Sequence, residues 1–290
     1  MNKILATGMI AALMATASFA FDQGDVGRLG ETGECPECDL SWADLAESAL
    51  EGANLSEANL VHANLSGSNL NYVNLSLANL QLALLDSTFF SAADLKQANL
   101  RGALLENADL GGADMRGADL RGANLAGANL SGAMLEGANM SGADLTGATM
   151  EEANLTGVDL SESVLNEANL RGAILKGANL SRVYLTDAQM GGANVAEVNF
   201  AGADLSSVNM RGANLTGANF NLVGLFGADL TEANLSGANL EGAYLTRAVL
   251  NGANLAGASL ADAEMDFTLM KGVVLCNTAM PDGSIVFSGC

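Results

Sequence analysis

The chain has 290 residues, 49% hydrophobic and only 4% aromatic, with 33 acidic against 12 basic side chains and a formal charge of -21. That balance argues against a protein that neutralises a phosphate backbone, since each phosphate contact needs a Lys or Arg. It also keeps an Ala- and Leu-rich chain soluble.

The first twenty residues differ from all that follow. Lys3 precedes an apolar run from Ile4, and small residues stand at Ser18 and Ala20 before Phe21-Asp22. This pattern predicts a secretory signal peptide over 1–20, cleaved after Ala20, and hence a periplasmic or secreted protein. Loss of Lys3 leaves a charge of -22. No cysteine lies near the cleavage site and no later segment resembles a membrane span, so neither a lipid anchor nor a span is expected after cleavage. Residues 21–37 are read as an N-terminal cap segment.

From Cys38-Asp39-Leu40 to Thr278-Ala279-Met280 a five-residue register never slips. Every position that is a multiple of five is apolar, Leu in most cases and Met, Phe or Val in the rest. Such a step moves each leucine about 140° around a helix, so no helix face results. In a strand the odd spacing throws successive leucines to opposite sides. The spacing is satisfied when the chain turns a corner within each pentad and every leucine points to one axis, as in a solenoid. Two places before each large residue sits Ala or another small one, as at Ala118 and Ala123, with Ser48, Val73 and Thr88 among the exceptions. Gly is frequent two places after it, as at Gly117 and Gly122, where a tight corner admits few side chains and favours positive φ.

The tandem Ala118-Asp119-Leu120, Ala123-Asn124-Leu125 and Ala128-Asn129-Leu130 resembles the pentapeptide-repeat family, and the likeness covers about five-sixths of the chain. The resemblance implies an all-β fold, a right-handed quadrilateral β-helix with four pentads per coil. On that geometry residues 38–280 form about 12 coils, and a spacing of ~4.8 Å makes a rod of roughly 58 Å. One pentad cannot stand alone, because burying a Leu yields roughly 1.5–3 kcal/mol while ordering five residues costs on the order of 5–10 kcal/mol. Stability is therefore cooperative between neighbours, and the ends need caps.

The family-like caps carry the cysteines, Cys35 and Cys38 at one end and Cys276 and Cys290 at the other. Four cysteines allow three connectivities. A rod of the implied length holds its ends tens of ångströms apart, whereas a disulfide needs Cα atoms within about 7 Å, so only the local pairs survive. Pro281-Asp282-Gly283-Ser284 reads as a turn, which makes 281–290 a capping hairpin stapled back to Cys276 over the last strand edge. The Cys35-Pro36-Glu37-Cys38 spacing also suits a redox or zinc pair. A redox site expects a strand-to-helix setting, and zinc expects four ligands where this end offers two cysteines and His62.

No catalytic set, metal site or cofactor motif is found. His62 is the single histidine, at an outward position, and Ser131 and Ser141 occupy repeat slots that need no nucleophile to explain them. Asp114, Asp119 and Asp144 do not follow the calcium β-roll pattern and are read as bonding to turn backbone. On the family's twenty-residue coil, Leu84, Leu104, Val164, Tyr184 and Tyr244 break the Asp/Asn rule in one column, with Trp42, Leu82 and Leu222 at the adjoining corner. This stripe is a candidate surface for an unknown protein partner or for self-association. The alternative is that the slot is half-buried and accepts apolar residues anywhere. The stacked pairs Arg101 with Arg121 and Lys96 with Arg116 read as solvated charge.

The expected function is a non-enzymatic exported scaffold, with no direct nucleic-acid binding. Another function the resemblance implies is an acidic DNA mimic that binds a type II topoisomerase and confers quinolone resistance. Export and the dispersal of the acids among Asn and Ser weigh against it.

Overall fold

The structure, a computed structural model, describes residues 22–290. The expected signal peptide, 1–20, lies outside the described residues.

Parallel bridges join residues twenty apart without interruption, from Glu34↔Asn54 to Ser259↔Ala279. Each coil therefore has four sides of five residues. The all-β character is carried by single bridged residues, one per side, because a corner every five residues leaves no room for a strand. The interior is filled by Leu and Ala in alternate slots, among them Leu120, Ala123, Leu125 and Ala128, all essentially inaccessible.

One pentad shows why the motif has its composition. Ala123 N–H donates to Leu120 O at 3.0 Å and closes a β-turn whose third residue, Gly122, has φ 63°. Positive φ at that residue alone is the type II pattern. Leu120 N–H donates to Asn139 O (2.7 Å), Gly122 N–H to Ser141 O (3.0 Å) and Asn124 N–H back to Ala103 O (3.0 Å). One N–H per pentad then lacks a backbone partner, that of Arg121, and Asp119 Oδ1 accepts it at 3.3 Å. The same bond recurs from Ala126 to Asn124 and from Ser131 to Asn129. Asn or Asp before the leucine thus completes the hydrogen bonding of the turn.

The glycine slot also holds other residues at positive φ, such as Ala92 at 54° and Tyr72 at 59°. Left-handed backbone costs a residue with a Cβ about 1 kcal/mol relative to Gly. Gly122→Ala, with nothing within 4 Å of the new Cβ, is expected to lose about that much. Ala92→Gly is expected to change stability in the opposite sense, and denaturant titration of the two variants checks both signs.

The N-terminal segment contains helix α1, Gln23–Thr32. Asp22 caps it by accepting from Gly24 N–H at 2.7 Å, and Gly33 closes it at φ 71°. Leu29 is buried against the first coil, and Asp39 N–H donates to the Asp25 carboxylate at 2.8 Å. The ladder already begins at Glu34, inside the segment read as a cap. At the other end β1, Leu275–Ala279, pairs antiparallel with β2, Ile285–Ser288. The hairpin thus includes the side of the last coil that the register assigns to the repeat.

Candidate functional site

The coil register sorts the outward residues into columns. Leu84 bridges Leu104, Val164 bridges Tyr184, and Gly224 bridges Tyr244, all on one side. Leu84, Leu104, Tyr184 and Tyr244 are exposed, while Val164 is half-buried. Asn124 and Asp144 separate the first pair from the second, and Asp204 and Gly224 separate the second from Tyr244, so the column is a series of short apolar patches. At the preceding corner Trp42 stacks on His62, with ring centroids 3.9 Å apart. Leu82 lies over Gly102 and Leu222 over Gly242, and a Cβ on either glycine would come within 2.8 Å of the leucine Cδ2. These corner leucines occupy the space that the glycines leave.

An apolar residue in the Asn/Asp slot removes the acceptor for the N–H two residues on. At Leu104 and Tyr184 another acceptor, one coil earlier, replaces it. Glu106 N–H donates to Asp86 Oδ1 at 2.9 Å, and Thr186 N–H to Asn166 Oδ1 at 3.0 Å. Phe89 has the same arrangement through Ser91 N–H and Asn71 Oδ1 at 2.8 Å, and Leu269 through Lys271 N–H and Asn251 Oδ1 at 2.8 Å. This coupling between residues eighteen apart was invisible without the coil length.

The side that starts at Asp39 is polar as far as Ser259, with Asn59 donating to Asp39 at 2.9 Å, Asn99 to Asn79 at 2.9 Å and Asn179 to Asp159 at 3.0 Å. The acids are less dispersed than the linear sequence suggests. Glu47, Asp86, Glu106, Glu167, Asp187 and Asp266 share one corner, where Arg247 is the one basic residue among the described residues. Arg247 lies over the Phe226 ring at 5.7 Å. Lys96, Arg116 and Lys176 stand on the diagonally opposite corner among Glu57, Glu136 and Glu197.

Arg116 holds Asp114 by two bonds of 2.8 and 2.7 Å, and Arg121 binds Asp119 in the same way. These guanidinium bonds keep both carboxyls below the ordinary Asp range. Asp144 accepts from both Thr146 N–H (3.0 Å) and Thr146 Oγ1 (2.6 Å). These aspartates serve their own turns or a neighbouring arginine.

Cys35 is bonded to Cys38 and Cys276 to Cys290, with Cα separations of 5.3 and 4.9 Å, and no described cysteine is free. Asp25 brings a carboxylate near the first pair, but sulfurs bonded to each other offer no thiolate to a metal. Arg28, paired with Asp25 at 3.2 Å, also donates to Cys38 Sγ. Among the described residues no helix is long and apolar enough to cross a membrane.

The profile described as Pentapeptide repeats (8 copies) matches nearly continuously, from residues 38–76 through 238–277. The chain belongs to the pentapeptide-repeat family. No enzyme family is indicated for this pentapeptide-repeat chain. It is similar to the crystal structure of HetL, involved in heterocyst differentiation regulation in Nostoc sp. strain PCC 7120. There the identity is 31%, over 91% of this chain and 98% of HetL, with a TM-score of 0.37. Rfr23 from Cyanothece 51142 is 34% identical over 40% of this chain and 92% of its own, with a TM-score of 0.39. QnrB1, a plasmid-mediated fluoroquinolone resistance protein, is 19% identical over 64% of this chain and 92% of its own, with a TM-score of 0.23. No curated protein sequence matches the chain.

Proposed function

We propose that this pentapeptide-repeat protein is an exported, non-enzymatic rod that offers one side to a protein partner. The observation that carries the reading is the column of Leu84, Leu104, Val164, Tyr184 and Tyr244, stacked by the bridge register and largely exposed. The replacement acceptors Asp86 and Asn166 support it, since they let Leu104 and Tyr184 face outward without stranding a backbone N–H. On the family's geometry the rod is right-handed, with about 12 coils. Two disulfides and the segment 1–20 support an oxidising destination outside the cytoplasm.

Fractionation of the host with N-terminal sequencing tests export. The expected product begins at Phe21 outside the cytoplasm, and a cytoplasmic chain that keeps Met1 refutes export. The surface is tested by Tyr184→Asn with Tyr244→Asn, which restores the usual repeat residue and should leave the fold intact. Partner retention from an envelope extract is expected to fall at least about tenfold, as for the loss of central aromatic contacts. Undiminished retention removes the surface from consideration.

The acidic corner favours a second reading, a DNA mimic that occupies a type II topoisomerase. Inhibition of supercoiling by the purified protein, together with a cytoplasmic location, would select it.

A further inference from the structure

The hairpin covers half of the last coil. β2 lies along β1 from Ala279↔Ile285 to Leu275↔Ser288, and Gly289 then rests against Val274. The other half, residues 263–272, has no chain above it among the described residues. In every earlier coil the residues equivalent to Met265, Phe267, Met270 and Gly272 donate to the next coil, as Leu245 does to Glu264 O and Arg247 to Asp266 O. The four N–H groups of this half have no acceptor among the described residues, and the Ala263 and Thr268 carbonyls have no donor. Large apolar side chains crowd the same end, with Phe267 81% and Phe287 65% exposed and Leu269 and Ile285 exposed beside them. Among the described residues β2 has one partner strand, so its outer edge has no pairing strand there either.

We propose that this end docks onto the same end of a second copy, through a joint in which each hairpin completes the other's open half. The ring ends in a step one strand high over half its circumference. Two such ends meet flush when a twofold axis perpendicular to the rod lays the raised half of one on the low half of the other. Chain direction fits too. The twofold axis reverses the sense in which the partner's coil runs round the rod, and β2 runs against its own coil. The partner's β2 therefore runs parallel to residues 263–272, as each successive coil does in this fold. Its N–H and C=O groups take the place of a further coil and close an edge that would otherwise stay open.

The side chains agree with this placement. Phe287 stands opposite Cys276, at the central corner of the covered half, and Phe267 stands at the central corner of the open half. The twofold operation exchanges these corners, so each Phe287 comes over the partner's Phe267, and one pair of contacts becomes two. An unrelated strand would add to one side only, whereas the second copy supplies a strand that already bends around a corner.

Light scattering of the purified protein over a range of concentrations tests this. The expected result is a mass of two chains at high concentration, with Phe267→Asp and Phe287→Asp each weakening the dimer at least about tenfold. Both side chains are exposed, so circular dichroism of the variants should match that of the parent. Tyr72→Asp, equally exposed but near the other end, and the Tyr184→Asn, Tyr244→Asn pair should leave the dimer unchanged. A protein that is monomeric throughout overturns the proposal. So does a dimer that survives Phe267→Asp, or one that dissolves in the tyrosine variant and thus forms along the side of the rod.

Discussion

Phe200→Ala is expected to lower stability by about 3–5 kcal/mol, the range for deleting a buried ring. Phe200 and Phe220 are fully buried and stack in adjacent coils with centroids 5.0 Å apart and an interplanar angle of 12°. Removal of one ring takes away its transfer energy and leaves the other facing a cavity between rigid coils, which relax little because backbone bonds on every side fix their spacing. Phe200→Leu restores the residue found at Leu180 one coil before, and should cost about 1 kcal/mol. The readout is native-state hydrogen exchange. In a solenoid each coil touches only its neighbours, so lost protection should centre on residues 180–240. Uniform loss from Leu40 to Leu260 would instead mean that the rod opens as a single unit.

Replacing both Cys276 and Cys290 with Ser should release the C-terminal hairpin. With a sequence separation of 14, the chain-entropy model assigns this bridge about 3 kcal/mol. The Cys35–Cys38 bridge, with a separation of 3, closes a far shorter loop and by the same relation contributes about 1.5 kcal/mol. Few packing contacts back up the terminal bridge, because Ile285, Phe287 and Ser288 are exposed and Met265, Met270 and Met280 only half-buried. The double variant should therefore be cut by protease between Met280 and Cys290 well before the rod unfolds. Equal resistance in parent and variant would show that strand pairing alone holds the hairpin.

Much of the interior was legible because the register repeats so often. The large residue, the small residue two places before it and the glycine after it each answer one steric demand, and the structure puts them in the core, the core and the corner. Helix α1 was missed although its signals stand in the sequence, Asp22 at the start and Gly33 at the end. Gly24, Gly27 and Gly30 lower its intrinsic propensity, and packing of Leu29 on the first coil restores it. The hairpin's first strand was hidden because Leu275 and Ala279 also satisfy the repeat. The acidic corner and the Asp86 and Asn166 acceptors could not be read along the chain at all, since they belong to a neighbourhood of residues eighteen to twenty apart. The candidate stripe was legible only with a coil length borrowed from the family.

The bridge offset of twenty residues also governs how such a gene can change length. An in-frame gain or loss of twenty codons within the ladder slides the remainder along the axis and returns every outward residue to its own side. A gain or loss of five keeps leucine inside and glycine at the corners, so the protein still folds, yet everything beyond the event is rotated by a quarter turn. Tyr184 and Tyr244 would then face a different direction from Leu84 and Leu104. Folding reads the sequence in fives, whereas a binding surface reads it in twenties, and one lineage can keep the first grammar while rewriting the second.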